Sequence, residues 1–147
     1  MTTSVAPVWL LDTNAISESA RHPQGPVGVR LAATLPGEAV TSVVVVGELL
    51  YGIAKASSPR IKERVDALLA AVPVLAIDAE VASVYGSLRA DLERTGTPIG
   101  ANDLWIAAQA LRSGLTVVTG NESEFRRVPG LSWENWSSAP ESAGGRH

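Results

Sequence analysis

Residues 8–17, VWLLDTNAIS, are the most informative stretch of this chain, because an apolar segment runs directly into polar residues. Residues 8–11 predict a buried strand, and Asp12, Thr13 and Asn14 follow it immediately. A carboxylate at the end of a buried strand is partly desolvated, so it needs hydrogen bonds or a cation to remain ionised. The carboxyl ends of parallel strands are also where open α/β sheets hold their ligands. Asp12 is therefore a candidate functional residue, with helix capping by Asp12 or Asn14 as the alternative.

The composition indicates one globular domain. The chain has 147 residues, of which 46% are hydrophobic, which is enough to bury one ordinary core. We expect residues 1–136 to form this single domain and residues 137–147 to form a disordered tail. The chain has no apolar run of about 20 residues, and residues 1–7 do not resemble a secretion signal. These features predict a cytoplasmic protein without a membrane partner.

The residue types exclude several kinds of site. The chain has no cysteine, so disulfides and thiolate metal sites are excluded, and its two histidines, His22 and His147, have no near neighbours of ligand type. A metal ion bound here would therefore be hard and held by oxygen atoms. The formal net charge of −3 gives no overall attraction to nucleic acid. Basic residues that contact RNA would have to act locally.

Short apolar strands alternate with helical segments along the chain, which predicts an α/β fold with a parallel sheet. The run of valines at 43–46 favours a strand by itself, whereas residues 48–55 contain better helix formers, so we predict a helix for the latter part, with Ser42 as its cap. Asp78 and Gly114 are the predicted N-cap and C-cap of two later helices. The predicted strands are residues 8–11, 39–41, 74–77 and 116–118. The predicted helices include residues 16–20, 27–35, 61–72 and 101–112, and one that begins after Asp78 and reaches Arg94.

Three further segments of the chain carry residues with candidate chemistry. Glu48 interrupts the apolar stretch VVVVGELLYG, and its alternative role is a solvent-facing position at the helix edge. Asp103 lies at the start of an apolar helix, where stabilisation of the helix dipole, or capping by Asn102 and Asp103, is the alternative. Thr119 and Asn121 follow the strand at 116–118, where polar residues also serve in turns.

Taken together, these residues predict a metal site. Carboxylates that converge on one crevice repel one another unless protons or cations intervene. Oxygen ligands of this type favour Mg²⁺ or Mn²⁺. Such an ion activates water and neutralises charge on a phosphodiester.

The motifs resemble those of a known family. LLDTNAIS, VGELLYG, TPIGANDLWIAAQAL, VTGNESEFRRVPGL and ENW follow one another in this order between residues 10 and 136. In type, order and spacing they are similar to the PIN-domain ribonucleases, and specifically to the VapC-type toxins of type II toxin–antitoxin systems. The resemblance covers residues 8–136, which is nearly all of the chain expected to be ordered.

The resemblance implies a three-layer α/β/α sandwich with a mainly parallel five-stranded sheet. It implies that Asp12 and Asp103 are the principal metal carboxylates and that Glu48 is the third acid. Thr119 would orient Asp12, and Asn14 would form hydrogen bonds within the site. Many PIN nucleases have a fourth acid where this chain has Asn121. Two nearby acids are possible substitutes, although we expect both to face solvent: Glu122 and Glu124.

The implied activity is Mg²⁺-dependent endoribonuclease activity, with Mn²⁺ as a possible substitute. A metal-activated water would attack phosphorus while Glu48 positions or deprotonates it, leaving a 3′-hydroxyl and a 5′-phosphate. RNA contacts would come from local arginines, for which a solvated surface charge is the alternative role. The candidates are Arg89, Arg94 and Arg112, together with Arg21, Arg126 and Arg127. The four tryptophans are interpreted as packing residues rather than base-stacking platforms.

The resemblance also implies partners. These are a cognate antitoxin, an RNA substrate such as tRNA or rRNA, a second copy in a homodimer, and operator DNA only through the antitoxin. Residues 16–35 and 61–72 could form an apolar groove for the antitoxin, although burial in the core explains the same residues. Two other functions remain open: a catalytically weak PIN-like protein that binds RNA or a partner, and a phosphatase of another α/β class. The phosphatase would need a second Asp two residues after Asp12, where this chain has Asn14.

Overall fold

The computed structural model describes residues 5–137, so the predicted tail lies outside the described residues except for Ser137. Within residues 5–137, five strands alternate with seven helices. The strands are β1 (Trp9–Leu11), β2 (Ala39–Ser42), β3 (Val74–Leu75), β4 (Thr116–Val118) and β5 (Trp133–Glu134). The helices are α1 (Thr13–Arg21), α2 (Pro26–Ala32), α3 (Val43–Ala56), α4 (Pro59–Ala71), α5 (Ala79–Arg94), α6 (Ala101–Ser113) and α7 (Glu122–Phe125).

The sheet is parallel throughout and has the strand order β3-β2-β1-β4-β5. The central strand β1 pairs with β2 on one side and with β4 on the other, so that Leu11 lies beside Thr41 and Val118. Helices α1 to α4 contact one another and α5 packs against α6, while α3 also contacts α6. Crossovers between parallel strands are right-handed, so the connections from β1 to β3 and those from β3 to β5 are expected on opposite faces of the sheet. The α/β class and the five-stranded parallel sheet are therefore confirmed.

The core is built around the central strands. Leu10, Ile16, Ile106 and Val117 are fully buried, and they belong to β1, β4 and the helices that cover the two faces. Burial of each such side chain stabilises the fold by about 1.5–3 kcal/mol. This core fixes the ends of β1 and β4, which are followed by the polar residues Asp12 and Thr119.

The tryptophans pack within the domain. Trp133 and Trp136 are buried, and the ring of Trp9 meets Trp136 edge to face at 5.3 Å between centroids. Trp105 is half-buried and stacks on Tyr85 at 3.8 Å between centroids.

The predicted caps of three helices are present. Ser42 accepts a hydrogen bond from the Val44 backbone N–H at 3.1 Å, Asp78 accepts one from Val81 at 2.9 Å, and Gly114 ends α6 with a positive φ of 68°. The valines at 43–46 are helical because Ser42 caps the helix and Val45 is fully buried against the core. Tertiary burial thus overrides their preference for strands.

Three element predictions need correction. The helix predicted over residues 27–35 ends at Ala32, because Pro36 disfavours helical geometry in the residue before it and the chain turns earlier. The strand predicted over residues 74–77 ends at Leu75, and the next two residues lead to the cap of α5. The predicted helices do not include α7, which covers Glu122–Phe125. In the part of the chain that is described, no helix has both the length and the apolar character needed to cross a bilayer.

Candidate active site

The candidate site lies where the chain reverses direction across the sheet. From β1 the chain continues outward to β2 and β3, then returns to add β4 on the opposite side of β1. The crossovers leaving β1 and β4 therefore diverge onto opposite faces, and a crevice opens between the two strand ends. Asp12 follows β1 and Thr119 follows β4, and the Asp12 backbone N–H donates to the Val118 carbonyl at 3.1 Å.

Asp12 is both the cap of α1 and the central acid of the crevice. Its side chain is 3% exposed, and one carboxylate oxygen accepts a hydrogen bond from the Ala15 backbone N–H at 2.9 Å. Burial raises the pKa of Asp12 to about 6, although hydrogen bonds from Thr119, Ala15 and Asn14 oppose this rise, and the negative charge of Glu48 adds to it. The capping role and the proposed functional role therefore coexist in one carboxylate.

Glu48 is held in the crevice by two other elements. It is half-buried on α3, where Thr13 donates a hydrogen bond to Oε1 and Asn102 donates one to Oε2 at 2.7 Å. Its charge is close enough to that of Asp12 to affect the pKa of Asp12. Glu48 therefore stays partly exposed to solvent while hydrogen bonds tie it to α1 and α6.

Asp103 lies in the first turn of α6 and meets two residues from the segment after β4. Asn121 Nδ2 donates to Asp103 Oδ2 at 2.8 Å. Burial raises the pKa of Asp103 to about 7, as does hydrogen bonding with Glu124, and the charges of Glu124 and Asp12 contribute to the rise. The N-cap of α6 is Gly100, so the capping alternative for Asn102 and Asp103 is wrong.

Glu124 belongs to this acidic group. The sequence predicts a solvent-facing position for Glu124, but it lies on α7 and its Oε1 accepts a hydrogen bond from the Gly100 backbone N–H at 2.9 Å. Glu122, the other nearby acid, instead accepts a hydrogen bond from Asn135 at 2.7 Å. The short helix α7 explains the difference, because it turns Glu124 toward the start of α6.

The three supporting residues have different positions. Thr119 is buried, hydrogen-bonds to Asp12, and accepts a hydrogen bond from the Asn121 backbone N–H at 2.8 Å. Asn121 contacts Asp103 as described above. Asn14 is exposed at the start of α1, and its backbone N–H rather than its side chain supports the Asp12 carboxylate.

The candidate RNA-binding arginines lie on α5 and α6, and each is paired with a nearby acid. Arg89 pairs with Glu93 at 3.0 Å, and Arg94 pairs with Asp91. Arg112 pairs with Glu80 at 2.7 Å at the end of α6 opposite Asp103, roughly 13 Å further along the helix axis. Arg112 is therefore distant from Asp103, whereas Arg89 lines a small cavity together with Ala101 and Leu104 at the start of α6.

The donor chemistry of the crevice fits a hard divalent cation. Its acids are Asp12, Glu48, Asp103 and Glu124, and they supply only carboxylate oxygens, which Mg²⁺ prefers. Burial, with a smaller contribution from the neighbouring negative charges, raises the pKa of Asp12 and of Asp103, and a bound cation would favour the ionised carboxylates. Within residues 5–137, however, no three acidic or histidine side chains stand close enough together to hold a metal as they are placed. Binding would therefore require side-chain adjustment.

Sequence reasoning missed two polar residues of the crevice, Thr13 and Asn102. Each is adjacent in the chain to a candidate acid, since Thr13 follows Asp12 and Asn102 precedes Asp103. This adjacency was the only available signal, because their common partner, Glu48, is distant in sequence. Only the tertiary structure shows that both residues contact it.

Comparison with known proteins gives consistent matches. The PIN domain matches residues 9–131. Ribonuclease VapC2 of Rickettsia felis is 35% identical over 132 residues, which is 88% of this chain and 98% of the relative. The tRNA(fMet)-specific endonuclease VapC of Shigella flexneri is 37% identical over 131 residues, with the same coverage of both chains. A chain in the crystal structure of DNA-bound VapBC from Salmonella typhimurium superposes with a TM-score of 0.80 at 32% identity, covering 88% of this chain and 98% of that chain.

Proposed function

Because this chain belongs to the PIN-domain family, among its VapC ribonucleases, we propose that it is a Mg²⁺-dependent endoribonuclease toxin controlled by a cognate antitoxin. The observation that carries this proposal is the acidic crevice between the ends of β1 and β4. Four elements contribute one carboxylate each to it: Asp12 after β1, Glu48 on α3, Asp103 on α6 and Glu124 on α7. Repulsion among these groups costs stability, so a functional role is a reasonable explanation for keeping them together.

Asp12 and Asp103 would hold the metal, with Glu48 and Glu124 as further oxygen ligands, directly or through water. A bound Mg²⁺ supplies two kinds of chemistry, a lowered pKa of water and neutralisation of phosphate charge. Glu48 would orient the attacking water and accept its proton. Thr119 would hold Asp12 in place, and Asn121 would hold Asp103. The proposed products carry a 3′-hydroxyl and a 5′-phosphate.

The proposed substrate is a structured RNA, and tRNA is the first class to test. The support for tRNA is that the Shigella flexneri relative is named for its action on tRNA(fMet). Arg89, Arg94 and Arg112 remain proposed RNA-binding residues. Arg94 is the last residue of α5, and a short loop connects it to the start of α6, where Asp103 lies. We therefore expect Arg94→Gln to raise KM for RNA. Arg112→Gln, at the opposite end of α6, should raise KM less. Since RNA is the proposed substrate, the proposed location is the cytoplasm.

The proposed antitoxin site is a cavity between α1, α2 and α4. It has a volume of about 600 Å³ and is lined mainly by small and aliphatic side chains, including Ala20, Leu31, Leu35, Leu68 and Val72. An amphipathic segment of a partner protein fits such a groove. We propose that operator DNA is contacted only through the antitoxin in the complex, and that the toxin forms a homodimer.

One observation favours a second candidate, a PIN-like protein that binds RNA or a partner with little cleavage. Asn121 occupies the position of a fourth acid, and it donates its amide hydrogen to Asp103 instead of adding a metal ligand.

A test of cleavage separates the two functions. Purified chain is incubated with total tRNA in Mg²⁺, Mn²⁺ or excess chelator, and the product ends are mapped. The nuclease proposal expects metal-dependent cuts with 5′-phosphates, whereas RNA binding without cleavage in any metal favours the second candidate.

A further inference from the structure

Both carboxylate oxygens of Glu48 are occupied by donors from two different helices. Thr13, the first residue of α1, donates its hydroxyl hydrogen to Oε1, and Asn102, the second residue of α6, donates from Nδ2 to Oε2 at 2.7 Å. These donors lie 35 and 54 residues from Glu48 in the chain. We call the three side chains of Thr13, Glu48 and Asn102 the Glu48 clamp.

The clamp joins the acids of the crevice through the backbone. Thr13 is covalently next to Asp12, and Asn102 is covalently next to Asp103. The two segments that carry the aspartates therefore also fix the direction of the glutamate. A shift of α1 would move Asp12 and the donor Thr13 together. A shift of α6 would likewise move Asp103 and the donor Asn102 together.

Without the clamp, other positions of the Glu48 side chain outside the crevice would become more favourable. Its charge raises the pKa of Asp12, which shows that the two carboxylates repel each other. Glu48 is only half-buried, and its flexible side chain has other rotamers available. Hydrogen bonds from Thr13 and Asn102 to the ionised carboxylate oppose this movement, because such charge-assisted bonds are among the stronger ones in proteins.

Asn102 has no evident role in folding that would explain its contact. It is exposed, Gly100 rather than Asn102 caps α6, and within residues 5–137 its side chain has Glu48 as its hydrogen-bond partner. The contact therefore serves the crevice rather than the helix.

We propose that Thr13 and Asn102 are positioning residues that keep the Glu48 side chain in the crevice, so that a divalent cation can recruit it with a small side-chain adjustment. This inference rests on the proposed function, because it assigns the pair a part in the proposed metal site. Residues that orient metal-binding side chains typically change metal affinity by about 10–100-fold when they are removed. Removal of either donor should therefore weaken metal binding while leaving the fold intact.

Mn²⁺ binding to the full chain, measured by calorimetry or by electron paramagnetic resonance, tests the proposal directly. Asn102→Ala and Thr13→Val are each expected to raise the Kd for Mn²⁺ about tenfold, whereas Thr13→Ser keeps the hydroxyl and should stay near the original value. Ser113→Ala, an exposed change at the other end of α6, is the matched control and should leave the Kd unchanged. Unfolding curves in chelator establish that the variants fold.

A double-mutant cycle shows whether Asn102 acts through Glu48. In the Glu48→Gln background, Asn102→Ala should change the Kd by less than about twofold, since its partner charge has already been removed. An unchanged Kd for both Asn102→Ala and Thr13→Val would overturn the inference, as would an equal effect of Asn102→Ala in both backgrounds. If the unmodified chain binds no Mn²⁺, the proposed metal-dependent function fails first, and the inference fails with it.

Discussion

Asp12 combines two roles that place opposite demands on its charge. As a helix cap it benefits from being ionised, because its carboxylate accepts a hydrogen bond from the Ala15 backbone N–H. As a buried acid near Glu48 it is easier to protonate, and its pKa rises to about 6. Burial thus disfavours the ionised Asp12 carboxylate, and a cation bound beside it would favour ionisation.

The substitution Asp12→Asn should raise the stability of the fold and abolish cleavage. Asparagine caps helices about as well as aspartate, so α1 is preserved while the buried charge is removed. The difference between a pKa of about 6 and the ordinary 3.8 corresponds to at most about 3 kcal/mol. We expect Asp12→Asn to unfold at higher temperature than the unmodified chain in chelator at pH 8, and to lose cleavage. A lower unfolding temperature under these conditions would contradict this account of the charge.

The raised pKa values of Asp12 and Asp103 also predict how stability depends on pH. Each group binds its proton more tightly in the folded chain than in the unfolded chain, so its contribution is fully present below the ordinary pKa of 3.8 and is lost as pH rises through about 6 and about 7. In chelator, Tm should therefore fall between pH 5 and pH 8. Saturating Mg²⁺ should reduce this fall, since it favours the ionised carboxylates. The same scan with Asp103→Asn should be flatter, and a Tm that rises with pH in chelator would refute the prediction.

Sequence alone indicated Asp12, Glu48 and Asp103 because each charge stands beside an apolar segment. Glu124 was placed in solvent because the four-residue helix α7 has no apolar periodicity long enough to detect. The roles of Thr13 and Asn102 depend on contacts between distant parts of the chain, which no local pattern contains.

At the scale of the elements, helix termini explain why the acids meet. The start of α1 follows Asp12 directly, and Asp103 lies in the first turn of α6, so both acids lie where helix dipoles favour negative charge. The helix caps at Ser42, Asp78 and Gly114 were predictable because capping depends on local residues. The ends of α2 and β3 were not, since their lengths depend on how the neighbouring turns pack against the sheet.

Two helical glycines provide a matched test of the packing of α2. A Cβ atom at Gly28 would lie 2.4 Å from the Pro23 carbonyl oxygen, whereas one at Gly86 on α5 would meet nothing within 4 Å. Gly28→Ala should therefore destabilise the fold by about 1–3 kcal/mol. Gly86→Ala should stabilise it by up to about 1 kcal/mol, because alanine favours helices more than glycine does. Equal unfolding midpoints in urea for the two variants would show that the turn before α2 is not tightly packed.

At the scale of the whole molecule, strand order creates the site. The reversal between β1 and β4 opens the crevice, and residues from both strand ends enter it. Alternation of strands and helices predicted the α/β class, but residue patterns gave only four strands. The two-residue strand β5 is too short to show a pattern, so the fifth strand was expected only from the family resemblance. Strand order depends on tertiary packing, and the structure alone shows it.

The cavity between α1, α2 and α4 predicts that antitoxin binding and catalysis are separable. Leu35 lines this cavity and is 56% exposed, so Leu35→Asp should leave folding and RNA cleavage intact. It should weaken binding of a cognate antitoxin about tenfold or more, because it places a charge in an apolar contact. Val29→Asp is the matched control, since Val29 is 52% exposed on α2 but does not line the cavity. Antitoxin affinity that is unchanged in Leu35→Asp would place the partner elsewhere.

We propose that the acids between β1 and β4 form a metal-dependent nuclease site. The most direct test is cleavage of purified tRNA by the antitoxin-free chain beside Asp12→Asn and Asp103→Asn, over a series of Mg²⁺ concentrations and in chelator. We expect cleavage that rises with Mg²⁺, stops in chelator, leaves 5′-phosphates and is reduced at least about 100-fold in both folded variants. Cleavage that persists in chelator or in either variant, or products that end in 2′,3′-cyclic phosphate, would contradict the claim.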